Sequence, residues 1–118
     1  MDELDKLKKD LREKIVAKET EIGELKEEME GFEQEIVTTK ERIKHFEGQQ
    51  DMVKKIEEFN ALNQEISRAD RDRANLEQKL NTLQERILEE DEILASLSNT
   101  YNSTDENSRV LEEEIKDL

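Results

Sequence analysis

Cysteine, proline and tryptophan are absent from this 118-residue chain, glycine occurs three times, and aromatic residues make up 3%. Without cysteine there are no disulfide staples and no thiolate metal sites within it. Without proline, and with so few glycines, little obliges a helix to stop or kink. A hydrophobic share of 32% is too small for a sizeable globular core at this length. No apolar run approaches the roughly 18 residues of a membrane span, and Met1 to Asp10 is charged rather than patterned as a signal peptide. A soluble, cytoplasmic protein without direct membrane contact is the expectation.

What the chain does have is charge: 44% of its residues, with a formal net charge of −14. Such an acidic field repels nucleic-acid phosphates and anionic lipid, so direct nucleic-acid binding is not expected and protein partners are. Composition of this kind suits either disorder or long helix, and the spacing of the apolar residues separates the two.

One heptad frame covers the first segment. Position a falls on Met1, Lys8, Ile15, Ile22, Met29, Ile36 and Ile43, and position d on Leu4, Leu11, Lys18, Leu25, Phe32, Thr39 and Phe46. A second frame places Met52, Phe59, Ile66, Arg73, Leu80, Ile87 and Leu94 at a, and Lys55, Leu62, Ala69, Leu76, Leu83, Glu90 and Leu97 at d. Only Lys8, Lys18 and Thr39 in the first frame and Lys55, Arg73 and Glu90 in the second are not apolar. Each segment therefore carries the narrow stripe that a partner helix covers.

Between the frames lies Glu47-Gly48-Gln49-Gln50-Asp51. Gly48 suits the left-handed residue that ends a helix, and Asp51 suits the cap that begins one. The fold expected is all-α: a long antiparallel coiled-coil hairpin over residues 1–97, with helix 2–46, turn 47–51 and helix 52–97. Closing it around Gln49 sets Lys8 level with Glu90, which turns two seam defects into one ion pair. A parallel dimer would instead stack like charges at those positions.

From Ser98 to Ser108 the sequence is rich in Ser, Asn and Thr, poor helix formers. Residues 98–118 are expected to hold a polar break and a short C-terminal helix restarting near residue 104, with Ser103 and Glu106 at capping-box spacing. The heptad phase continues unbroken through Tyr101, Leu111, Ile115 and Leu118, so the alternative to a break is a weak stretch of one continuous helix. Under the same closure these residues require partners upstream of Met1, so the sequence reads as part of a longer protein.

Nothing in the chain resembles catalytic machinery. His45 is the lone histidine, the acidic runs splay along helices rather than converge, and there is no phosphate-binding glycine loop. No enzyme activity, no cofactor and no metal are expected. Arg68, Arg71 and Arg73 with Lys79 form the one basic concentration, interleaved with Asp70, Asp72 and Glu77. Pairs such as Arg73 with Glu77 at i, i+4 are their expected use. Outward apolar positions Val16, Val37, Val53 and Leu88, together with Arg68 and Arg71, are the candidate partner surface, for another protein or for a second hairpin.

Residues 53–66, followed by Arg71, Leu76 and Glu77, resemble the tip-proximal motif of a bacterial family that joins a coiled-coil hairpin to a C-terminal zinc ribbon. Val53, Lys54, Glu58, Phe59, Ala61, Leu62, Glu65, Ile66, Leu76 and Glu77 carry the likeness, which is greatest to chlamydial members and extends over residues 50–118. Lys55-Ile56 stands where the family often has an Asn pair. The resemblance implies an adaptor or chaperone in type III secretion or flagellar systems, with secretion-apparatus proteins and an RpoN-type sigma factor among its partners. The zinc site it implies would lie in a C-terminal module that this sequence does not contain. The alternative is a spacer from a long cytoskeletal, kinetochore or SMC-like rod forming a parallel dimer.

Overall fold

The structure, a computed structural model, describes residues 2–117; the expected seam positions Met1 and Leu118 lie outside the described residues. Helix α1 runs Asp2–Gln50 and helix α2 runs Ile56–Asp117. Partner residues rise along α1 as they fall along α2, so the helices are antiparallel and the chain is a two-helix hairpin. Two units divide it, Met1–Leu25 with Arg86–Leu118 and Lys26–Glu85.

In the second unit, Ile36, Ala69 and Leu83 are buried and Met29, Phe32, Ile43, Phe46, Leu62, Ile66, Leu76 and Leu80 are half-buried. All are a or d positions. Burying an aliphatic side chain of this size stabilises by about 1.5–3 kcal/mol, so a few turns of seam outweigh the few unfavourable polar residues in it. Thr39, also at d, is buried without strain because its hydroxyl donates to the Glu35 carbonyl at 2.8 Å.

The turn differs from expectation. Gly48 is not a helix stop: no glycine among the described residues has positive φ, and α1 continues to Gln50. The connection is residues 51–55, fixed by Asp51 N–H donating to the Glu47 carbonyl at 3.2 Å and Met52 N–H to the Gln49 carbonyl at 3.1 Å. Met52, assigned to the seam, is a loop residue and 82% exposed. Gln50 Nε2 donates both to the Phe59 carbonyl and to Asn63 Oδ1, each at 3.2 Å. The last residue of α1 thus lies beside the second turn of α2. The first turn of α2 extends past it with only the loop alongside, which leaves Ile56 76% and Phe59 42% exposed.

In the first unit, Leu11, Ile22, Leu25 and Ile87 are buried. Leu4, Ile15, Leu94 and Leu97 are half-buried. The polar stretch 98–108 does not break: α2 is continuous through it. Thr100 and Thr104 donate their hydroxyls to the carbonyls of Ser96 and Thr100, both at 2.9 Å, so these side chains satisfy themselves on the helix. Thr104 and Ser108 occupy d and a, and both are buried. Packing against α1 overrides the weak helix propensity there.

The register also differs. Lys8 pairs with Asp105 and Arg12 with Tyr101, Lys18 with Glu90 and Glu21 with Arg86. Partner numbers therefore add to about 112 instead of 98, a slide of two heptads, or about 21 Å at 1.5 Å per residue. Such a slide keeps every a opposite a d. Leu25 becomes level with Ile87, Ile36 with Leu76, and Leu4 with Ser108. The expectation that Tyr101 lacks a partner within the chain is overturned by the same slide.

Candidate interaction surfaces

The charged residues near the seam form a clamp in the first unit. Lys18 Nζ reaches Glu90 at 2.6 Å and Glu21 at 3.1 Å, and Arg86 reaches Glu21 at 3.3 Å. Both Lys18 and Glu90 are d positions, one on each helix. The expected Lys8–Glu90 pair is replaced: Lys8 reaches Asp105 at 3.0 Å instead, and Arg109 joins the same carboxylate at 3.2 Å. The slide of two heptads is the physical reason, since it carries Glu90 one to two turns beyond Ile15 and away from Lys8.

Protonation follows these contacts. Lys18 donates hydrogen bonds to Glu90 and to Glu21, which raise it above its ordinary value in that order of size, and Lys18 in turn lowers Glu21. Lys8 holds the Asp105 carboxyl below its ordinary 3.8, chiefly through their hydrogen bond. A carboxyl depressed on folding contributes stability that is present above its unfolded value and lost as pH falls through its folded one. Asp105→Asn is therefore expected to lower the melting midpoint at neutral pH. Its difference from the parent chain should shrink as pH drops through 3.8 and vanish below the folded value. Circular-dichroism melts at several pH values check this, and an undiminished difference at about pH 2 contradicts it.

Arg12 lies across the other side of this clamp. Its Nη2 donates to the Tyr101 hydroxyl at 2.8 Å, and its guanidinium carbon is 5.6 Å from the ring centre. A single aromatic on the polar stretch thus anchors α2 to α1 by a hydrogen bond and a cation–π contact together. The sequence signal was present in the unbroken a/d phase at Tyr101, Thr104 and Ser108, but small hydroxyl residues do not announce a seam.

The arginine concentration is spent largely within its own helix. Arg73 makes contacts of 2.9 Å to Asp70 and 2.6 Å to Glu77, while Arg68 meets Glu65 at 3.5 Å. Arg71 Nε donates to the Ser67 carbonyl at 3.4 Å. Arg68 and Arg71 are exposed beside Asn60, Asn63 and Gln64. Among the candidate apolar residues, Val16, Val37 and Leu88 are exposed and Val53 is half-buried at the loop.

At the turn of the second unit, a shallow open hollow is lined by Met52, Val53 and Leu62, with Gln49, Lys54, Lys55 and Glu58 around it. Its residues come from the end of α1, the loop and the first turns of α2, held by Gln50. No group of three or more His, Asp or Glu among the described residues is placed to hold a metal ion. Neither helix is long and apolar enough to cross a membrane.

No family model and no curated protein matches the chain. A solved structure does: CT398 from Chlamydia trachomatis is similar over 98% of this chain, with 37% sequence identity and a TM-score of 0.92. The chain spans about half of that protein, 49% of its length. The likeness at this identity supports a chlamydial-type coiled-coil hairpin, a fold suited to protein–protein interaction.

Proposed function

We propose that this hairpin is a non-enzymatic, cofactor-free adaptor arm that joins type III secretion or flagellar components to an RpoN-type sigma factor. The observation that carries the reading is the 37% identity to a chlamydial protein over 98% of the chain. The motif residues Val53, Lys54, Glu58, Phe59, Ala61, Leu62, Glu65, Ile66, Leu76 and Glu77 add the resemblance to the adaptor family.

A physical argument agrees with it. In an intramolecular hairpin the heptad stripes satisfy each other, so no stripe is left to zip a filament together. Apolar groups left outside, such as Val37 and Leu88, and the unburied tip are then available to other proteins. Immobilised chain is expected to retain purified RpoN-type sigma factor saturably and in a salt-sensitive manner. Failure to retain it, with helix content intact by circular dichroism, counts against the adaptor role.

A further inference from the structure

We propose that one flank of the second unit is a self-association surface, on which a second copy of this chain docks antiparallel about a two-fold axis. This goes beyond the adaptor reading and does not depend on it.

An open polar hollow runs along that flank between α1 and α2. Four charged side chains line it, Glu35 and Arg42 from α1 and Asp72 and Lys79 from α2. All four are exposed g positions, and none enters an ion pair among the described residues. On the other flank of the same unit Lys40 and Glu77 do pair, at 3.8 Å. The sequence gives the reason. No opposite charge lies three or four residues from Glu35, Arg42 or Lys79 on its own helix, and Arg68, four residues before Asp72, is bonded to Glu65. Between the charges the side chains are short, namely Thr38, Thr39 and Asn75. A Cβ on Gly31, at the end of the hollow, would meet nothing within 4 Å, so the hairpin's own packing does not call for glycine there. A second backbone approaching the flank would find room.

The order of the signs selects the occupant. An axis crossing α1 between Thr38 and Thr39 exchanges Glu35 with Arg42, which stand equally far to either side of it. An axis crossing α2 between Asn75 and Leu76 exchanges Asp72 with Lys79 in the same way. In the observed register the two crossing points are level to within a turn of helix, so one axis serves both. A copy related by that axis sets each carboxylate against a cation and each cation against a carboxylate, which is the self-complementarity an isologous interface requires. The same operation carries His45, exposed at c, toward Gly31 of the second copy, a large side chain against an empty position. Pairing with the helices parallel would set His45 against Arg68 instead. Two chains of −14 repel on average, so copies are accepted only where local charges oppose.

The test is sedimentation equilibrium on the whole chain, which is expected to show dimer growing with concentration. Glu35→Lys with Asp72→Lys makes the flank wholly positive, and Arg42→Glu with Lys79→Glu makes it wholly negative. Each double variant should weaken self-association by about tenfold or more. An equimolar mixture of the two should associate again, because each flank then opposes the other. Gly31→Phe should weaken the dimer while leaving helix content by circular dichroism unchanged. Orientation is read by cross-linking, since the chain has no cysteine of its own. Thr38→Cys, beside the axis, is expected to oxidise to a linked dimer, and Val37→Cys, turned to the other flank of α1, is not. None of these positions lies in the packed seam, and circular dichroism confirms that each variant is folded. The proposal is overturned if the parent stays monomeric, if the double variants self-associate like the parent, or if their mixture stays monomeric. Failure of Thr38→Cys to link overturns the antiparallel arrangement.

Discussion

Leu25→Ala is expected to lower unfolding stability by about 2–5 kcal/mol, the range for emptying a leucine site whose surroundings cannot fully collapse. Leu25 is buried at d and level with Ile87, itself buried at a. At about 4 °C of melting temperature per kcal/mol for a chain of this size, the loss is easily seen in a thermal melt. The partner makes the result diagnostic. Leu25→Ala and Ile87→Ala empty the same layer, so their combined effect should fall short of the sum. Leu25→Ala with Arg73→Ala should be additive, because Arg73 belongs to a layer two heptads away. A surface-like loss of about 0.5 kcal/mol or less for Leu25→Ala means that this layer is not packed as described.

Lys18→Glu should be the most damaging charge reversal in the chain. It sets a third carboxylate beside Glu21 and Glu90, with only Arg86 left to offset them. The melting midpoint is expected to fall well below that of the parent. Adding Glu90→Lys restores an opposite pair across the seam and should recover part of the loss. Lys8→Glu combined with Glu90→Lys should recover nothing, because Lys8 faces Asp105 and Glu90 faces Lys18. Recovery in the Lys8 pairing rather than the Lys18 pairing contradicts the register.

Both experiments probe what heptads leave open. A repeat of seven fixes which face of each helix is buried, and here Leu11, Ile22, Leu25, Ile36, Ala69, Leu83 and Ile87 were all identified as seam from spacing alone. Sliding one helix by a heptad moves every side chain to an equivalent position, so apolar content cannot distinguish one slide from the next. Lys8 opposite Glu90 offered a single favourable layer in one register, and a single layer occurs readily by chance in a chain that is 44% charged. The geometry of the connection breaks the degeneracy. Gln50 bonded to Phe59 and Asn63 fixes how far α2 rises past α1, and the seam follows from that point.

Local preference misled in two further places for one physical reason. Gly48 and the stretch from Ser98 to Ser108 both favour ending a helix when considered alone, and both are helical here. Hydroxyl side chains bond back to carbonyls one turn earlier, and contacts such as Arg12 to Tyr101 and Lys8 to Asp105 reward continued helix. The propensity deficit is about half a kcal/mol for each Ser, Thr or Asn and about 1 kcal/mol for Gly48, amounts that modest packing overcomes.

Sequence alone determined that this protein is two long helices, which stripe each buries, and that the chain turns back near residue 50, because periodicity and composition are local and act on every turn. The tertiary structure alone decided the slide between the helices, the partners of Lys8, Lys18 and Tyr101, and the exposure of Met52 and Ile56. Those depend on the path of five connecting residues, and a heptad repeat is blind to any displacement that is a multiple of seven.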